Sequence, residues 1–363
     1  MDDEPLVLLN PGPACTSERV RRAAIRADLC HREPEFVQLM SAIRTGLARS
    51  LGVAASHEAV LVTGSGTAAM EMAVIGAVRD GRSLLVVRNG VYGDRLARIG
   101  RVHGIAVREI AEQWTRPIDP DRVRAALRRH PDIDAVACVH HETTTGLVNP
   151  IAAIGQVVAG TGACFLVDDI SGTAIEDQDL ATVHADLICG TANKGLHGLP
   201  GMSFVLLSQA GARRVREAPT RSLYLHAATY LEAQRAGDVP FTPAVQICFA
   251  LDEAISEYED EGGFSARTAE YRERAAIVRK GFDGLGLRIL LVDEPDRANS
   301  VTTLALPDGM SYRELHDRLK ARGFVIYAGQ GQLRGRFFRV ATMGHLPPRA
   351  LERFLDALED VLR

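Results

Sequence analysis

Lysine is nearly absent from this chain of 363 residues: of its 42 basic residues only Lys194, Lys280 and Lys320 are lysines, and the rest are arginine. Where arginine serves almost everywhere, a retained lysine raises the question of what arginine could not do in its place. The answer is amine chemistry, because a lysine can lose its proton and form a Schiff base, whereas a guanidinium stays charged and is no nucleophile. Lys280 and Lys320 lie in charged stretches of helical period, 271–280 and 312–320, and read as solvated surface. Lys194 sits in Gly190-Thr191-Ala192-Asn193-Lys194-Gly195, at the end of an apolar run.

Other absences exclude whole classes of function. No apolar run reaches the roughly 18 residues that a membrane span needs. The opening Met1-Asp2-Asp3-Glu4 is acidic where a secretory signal carries positive charge, so a cytoplasmic protein is expected. A net charge of −4 without a long basic run gives no electrostatic groove for nucleic acid. The six cysteines form no CxxC pair and fall mostly in apolar runs, which fits buried thiols rather than a disulfide framework or a zinc site.

What is present is a strand–helix alternation. Short β-branched runs at 59–63, 83–88, 105–110, 134–140, 164–168, 186–190 and 203–207 are separated by helix-periodic stretches at 67–78, 92–103, 120–130 and 151–160. Repeated strand–crossover–strand units predict an α/β domain with a mostly parallel sheet between helices. From about 208 to 261 the pattern is helical. Beyond 299 it changes to strands near 300–306, 324–327 and 336–341 with helices near 311–322 and 348–362, a small α+β unit.

Ligands of open α/β sheets collect at the carboxyl ends of strands, and five strand ends carry the informative residues. Gly64-Ser65-Gly66-Thr67 opens directly into a helix and offers backbone N–H groups and two hydroxyls to a phosphate dianion. Asn89-Gly90-Val91-Tyr92-Gly93 sets an aromatic ring between two glycines, which predicts a ring free to swing onto a planar ligand. His140-His141-Glu142-Thr143-Thr144-Thr145-Gly146 invites a metal, but adjacent residues of an extended segment point to opposite sides and cannot easily share one ion, so no metal site is expected. Asp168 ends the apolar run 164–168, and Lys194 follows 26 residues later. A carboxylate to keep a pyridinium nitrogen protonated, an amine for a Schiff base, a phosphate cradle and a stacking ring are together the binding needs of pyridoxal 5′-phosphate.

With these residues in place, the chain resembles the class V branch of the fold type I pyridoxal-phosphate enzymes, and is identified as a member of it on the stretches Leu8–Pro13, GSGT at 64–67, NGVYG at 89–93, HETTTGLVNPI at 141–151, LVDD at 166–169, ANKGLHGLPG at 192–201, Phe241-Thr242-Pro243 and FVIYAG at 324–329. The resemblance implies a large α/β domain with a mostly parallel seven-stranded sheet over 21–260, a small C-terminal α+β domain over 261–363, and an N-terminal arm over 1–20 beside the site. It implies Lys194 as the Schiff-base lysine, Asp168 as the partner of the ring nitrogen, Ser65, Gly66 and Thr67 at the phosphate, Tyr92 on the ring face, Thr143 near the ring hydroxyl, and Asn193 as a further cofactor residue. Thr242 would reach the phosphate of a neighbouring subunit in a homodimer with a shared active site. Arg339, with Pro11 and Gly12, would meet the substrate.

The implied reaction is transamination between a small acidic amine resembling an aminoethylphosphonate and a keto acid such as pyruvate, with no nucleic-acid or membrane partner. Three positions depart from the family pattern: Asn10 where threonine is usual, Asp169 where a small residue follows the aspartate, and His197 where an amide is usual. Asp169 and His197 keep open a pyridoxal-phosphate lyase or decarboxylase that uses extra acid–base groups. A non-catalytic binding protein on the same fold is a third alternative.

Overall fold

The computed structural model describes residues 5–363. In chain order its elements are β1 Val7–Leu8, α1 Glu18–Ala23, α2 Pro34–Ser50, β2 His57–Thr63, α3 Gly66–Ala77, β3 Ser83–Arg88, α4 Val91–Val102, β4 Ala106–Ala111, α5 Pro120–Arg129, β5 Ile133–Val139, β6 His141–Glu142, β7 Leu147–Val148, α6 Ile151–Val158, β8 Cys164–Asp168, β9 Leu187–Thr191, β10 Met202–Ser208, α7 Gln209–Glu217, α8 Ala227–Arg235, α9 Val245–Asp260, α10 Gly263–Gly284, β11 Val301–Ala305, α11 Tyr312–Lys320, β12 Phe324–Val325, β13 Tyr327–Ala328, β14 Phe337–Ala341 and α12 Ala350–Leu362. Helix starts follow capping chemistry. Ser17, Asp119, Ser208 and Ser311 each accept an N–H of the first turn, and Pro34 and Pro120 occupy positions whose N–H would have no helical partner.

Seven strands form one sheet in the order β2-β10-β9-β8-β5-β3-β4. All neighbours are parallel except β10, which runs antiparallel to both β2 and β9. The side-chain period of two divides the core. Val136 and Cys138 of β5 and Phe165 and Val167 of β8 pack toward α2, α6 and α9, while Ala135, Ala137 and Val139, with Cys164 and Leu166, pack toward α3, α4, α7 and α8. Both faces are covered, which is why β5 is buried along its whole length. By the same alternation Asp168, the last residue of β8, falls on the α3/α4 side.

A second sheet, β11-β14-β13, packs with α10, α11 and α12 around Phe282, Leu304, Phe338 and Phe354. The N-terminal strand β1 pairs in parallel with β12, and the chain beyond it accepts from the Ala341 N–H at the Leu9 carbonyl and reaches Lys194 through the Pro11 carbonyl. All six cysteines are free; Cys138, Cys164, Cys189 and Cys248 are buried, Cys15 is half-buried and Cys30 is exposed. Among the described residues no helix is long and apolar enough to cross a membrane.

Candidate active site

The parallel strands deliver their carboxyl ends to one edge, and Lys194 sits at its centre. The residue is 9% exposed, and Nζ donates to the carbonyl of Pro11 in the N-terminal arm. Gly12 has φ +113°, and a Cβ there would lie 2.9 Å from Lys194 Cε, so both the backbone conformation and the close approach require glycine. Burial pulls the Lys194 pKa down to about 8; Arg339 and Arg95 push it the same way and Asp168 opposes them. Lys280 and Lys320 are exposed on α10 and α11.

Asp168 is 3% exposed and is pushed up to about 7, chiefly by burial, with Glu142 and Asp169 adding like-charge repulsion. Among the described residues the one donor to its carboxyl is the Ile170 N–H, 3.1 Å from Oδ1. A buried carboxyl with so few donors is unfavourable as an anion until a cationic or N–H partner reaches it. Thr143 is fully buried, and its Oγ1 has no hydrogen-bond partner among the described residues. Ser65 is exposed at the N-cap of α3, and its hydroxyl makes no capping bond. Gly66 and Thr67 complete that first turn. Asn193 is half-buried beside Lys194, its Oδ1 accepting from Thr191 Oγ1 at 2.9 Å. These free or under-used groups are the donor set that pyridoxal phosphate needs: an amine, a carboxyl for the ring nitrogen, a hydroxyl without a partner, and an uncapped helix N-terminus for the phosphate.

Arg339, on β14, is 1% exposed. Its Nε donates to the carbonyl of Ala328 at 3.0 Å and its Nη1 to that of Thr143 at 3.1 Å. Nη1 also reaches Gln330 Oε1 at 3.4 Å, and all three acceptors are neutral, so the guanidinium has no carboxylate among the described residues and its charge is felt at Lys194. Thr242 does not join this group; it is exposed, next to Tyr224 and Phe241, whose rings are 5.1 Å apart.

The glycines around Tyr92 have a different purpose from the one read in the sequence. A Cβ at Gly90 would run into the Glu142 carboxyl, and one at Gly93 would lie 2.7 Å from Arg88 Cβ. They therefore admit close neighbours rather than free the ring. Glu142 Oε2 accepts the N–H groups of Tyr92 at 3.1 Å and Gly93 at 3.3 Å, capping α4 and fixing the position from which the ring projects.

The two departures that suggested elimination chemistry are both committed elsewhere. Asp169 Oδ1 lies 2.6 Å from His140 Nδ1, and Oδ2 accepts from Thr173 Oγ1 at 2.9 Å. His197 Nε2 shares a 2.8 Å hydrogen bond with Tyr271 Oη, and burial holds the ring neutral. His141 Nδ1 bonds the Ser171 carbonyl at 3.0 Å and lies 3.3 Å from Glu176 Oε1. A residue not singled out in the sequence, Arg95, also faces the site. It lies three positions after Tyr92, one helical turn along the same face, and that spacing was the available signal.

Comparison with known proteins now places the chain. The family described as Aminotransferase class-V matches residues 17–335. The 2-aminoethylphosphonate–pyruvate transaminase of Syntrophobacter fumaroxidans is 35% identical over 99% of this chain and 97% of its own. The enzyme of the same name from Pseudomonas fluorescens is 34% identical over 98% and 96%. Among solved structures, alanine–glyoxylate aminotransferase from Nostoc superposes with a TM-score of 0.93 at 26% identity, covering 100% of this chain and 97% of that one. Pyridoxamine–pyruvate aminotransferase from Mesorhizobium loti gives 0.91 at 26%, covering 99% and 92%. The chain belongs to the class V aminotransferases. It is a pyridoxal-phosphate-dependent transaminase of fold type I, and the lyase and binding-protein readings are not favoured.

Proposed function

We propose that the enzyme moves the amino group of 2-aminoethylphosphonate, or a small acidic amine like it, to a keto acid such as pyruvate. The observation that carries this reading is the buried Arg339 guanidinium, held by two neutral carbonyls close to a buried lysine. A planar fork without a counter-ion is suited to a carboxylate or phosphonate on the molecule that presents its amine to Lys194. The substrate names of the relatives agree with that chemistry.

In this reading Ser65, Gly66 and Thr67 hold the cofactor phosphate, Tyr92 covers the ring face, Thr143 lies near the ring hydroxyl, Asn193 adds a polar contact, and Asp168 pairs with the ring nitrogen. When bound, pyridoxal phosphate supplies an electron sink for the negative charge that develops on the carbon bearing the amine. Lys194 Nζ, with its pKa drawn to about 8, is partly unprotonated near neutral pH and can take a proton from that carbon and give it back on the other side of the reaction. Arg339 orients both half-substrates by their acidic ends, with Pro11 and Gly12 forming the wall behind Nζ. Desolvation by the N-terminal arm keeps water from the exchanged proton.

The same reading makes the enzyme a homodimer with a shared site. Thr242 is exposed in the single chain near the exposed Tyr224, which follows Leu223 at 82% exposure, an apolar edge suited to a second copy that brings Thr242 to the partner's phosphate. The six free cysteines suit the cytoplasm, where thiols stay reduced. The test is a donor–acceptor screen. With pyruvate, 2-aminoethylphosphonate should yield alanine and the matching aldehyde in equal amounts, and do so faster than serine or a neutral amine such as ethylamine. Equal rates with ethylamine would overturn the acidic-donor assignment.

A further inference from the structure

Arg95 is a cation in an electrostatically unfavourable place. Its Nη1 donates to Thr67 Oγ1 at 3.2 Å, and its guanidinium carbon lies 4.7 Å from the centre of the Tyr92 ring. Thr67 belongs to the first turn of α3, whose twelve residues turn their positive dipole end toward this point. Two other arginines nearby are neutralised: Arg88 pairs with Asp94 at 2.8 Å and with Glu109, and Arg101 with Glu109. Among the described residues no carboxylate bonds Arg95. Its charge is felt at Lys194 and at Asp168. A guanidinium and a helix N-terminus thus converge near the amine, with Asp168 acting on both charges but no carboxylate among the described residues bonded to the guanidinium.

The hydrogen bond to Thr67 adds direction. Thr67 Oγ1 accepts from Arg95, so its own hydrogen remains free to donate, as do the Ser65 hydroxyl and the other N–H groups of the Arg95 fork. A tetrahedral dianion can take all of these at once, and it would neutralise the dipole end together with the guanidinium.

We propose that Arg95 is a cofactor-binding residue whose guanidinium holds the phosphate dianion of pyridoxal phosphate opposite the N-terminus of α3, seated on the Tyr92 ring. One turn of α4 then serves both ends of the cofactor, the ring face through Tyr92 and the phosphate through Arg95. This rests on the assignment of Ser65–Thr67 to the phosphate given above.

The experiment compares wild type, Arg95→Gln and Arg95→Lys as full-length apoproteins, titrated with pyridoxal phosphate and, separately, with pyridoxal, which has the ring but no phosphate. Removing a charged hydrogen-bonding partner should weaken pyridoxal phosphate binding by about 10- to 100-fold in Arg95→Gln and by less in Arg95→Lys, and leave pyridoxal binding unchanged. Inorganic phosphate should raise the thermal midpoint of wild-type apoprotein more than that of Arg95→Lys, a readout that survives if Arg95→Gln does not fold. Equal weakening of both ligands would make Arg95 a mere support for the ring seat. Unchanged pyridoxal phosphate binding with a raised KM for the phosphonate donor would move Arg95 to the substrate. Either result overturns the proposal and leaves the transaminase reading standing, whereas a wild-type protein that binds no pyridoxal phosphate would sink that reading itself.

Discussion

Replacing Asp168 with asparagine should make the apoprotein more stable. The carboxyl is 3% exposed, accepts one backbone N–H, and has Glu142 and Asp169 nearby. Its pKa is raised from 3.8 to about 7, and at about 1.4 kcal/mol per unit the cost of ionising it in the fold is roughly 4 kcal/mol. The sign follows from linkage. A carboxyl whose folded pKa is raised lends stability that is fully present below pH 3.8 and is lost as pH rises through about 7. Asparagine never ionises and can keep the Ile170 hydrogen bond, although its amide needs a partner that the carboxylate did not. The net gain above pH 8 should therefore be about 2–4 kcal/mol, shrinking toward zero near pH 4. Urea denaturation of the two apoproteins at pH 5 and pH 8.5 reads this directly. Saturating pyridoxal phosphate should reverse the order at pH 8.5, because a protonated ring nitrogen favours the carboxylate and stabilises wild type more than the variant. If asparagine lowers apoprotein stability equally at both pH values, the site does not hold Asp168 as a costly unpaired acid.

Two further outcomes test other parts of the site. Arg339→Gln should raise KM for both acidic half-substrates by about 10- to 100-fold with a smaller effect on kcat, and leave cofactor affinity intact; this follows from losing one charge-assisted contact and is read by steady-state kinetics and cofactor titration. Gly90→Ala should displace the Glu142 carboxyl from the start of α4 and destabilise the fold by about 1–3 kcal/mol, with weaker binding of pyridoxal through the disturbed Tyr92, measured by denaturation and ligand titration.

Much of the fold was legible because the sheet is covered on both faces, which turns strands such as β5 and β8 into unbroken apolar runs. The antiparallel direction of β10 was not legible, since an apolar run carries no sign of its polarity. Neither was the crossing of Val7–Leu8 to Phe324–Val325, a pairing of two residues across most of the chain. At the site, the scarcity of lysine makes Lys194 stand out in the sequence itself. The Asp169–His140 pair was hidden by 29 residues of separation and by the habit of reading His140 against its neighbour His141. Arg95 was hidden for the opposite reason: among so many arginines, its spacing of three from Tyr92 is a faint signal until three dimensions show that no carboxylate among the described residues bonds it.

The most direct measurement is of which nitrogen the cofactor joins. Holoprotein reduced with borohydride, digested and sequenced by mass spectrometry should carry the pyridoxyl label on Lys194 alone, and Lys194→Arg should lose both the label and turnover. A label on Lys280 or Lys320, or full turnover in Lys194→Arg, would contradict an active site built around this buried amine.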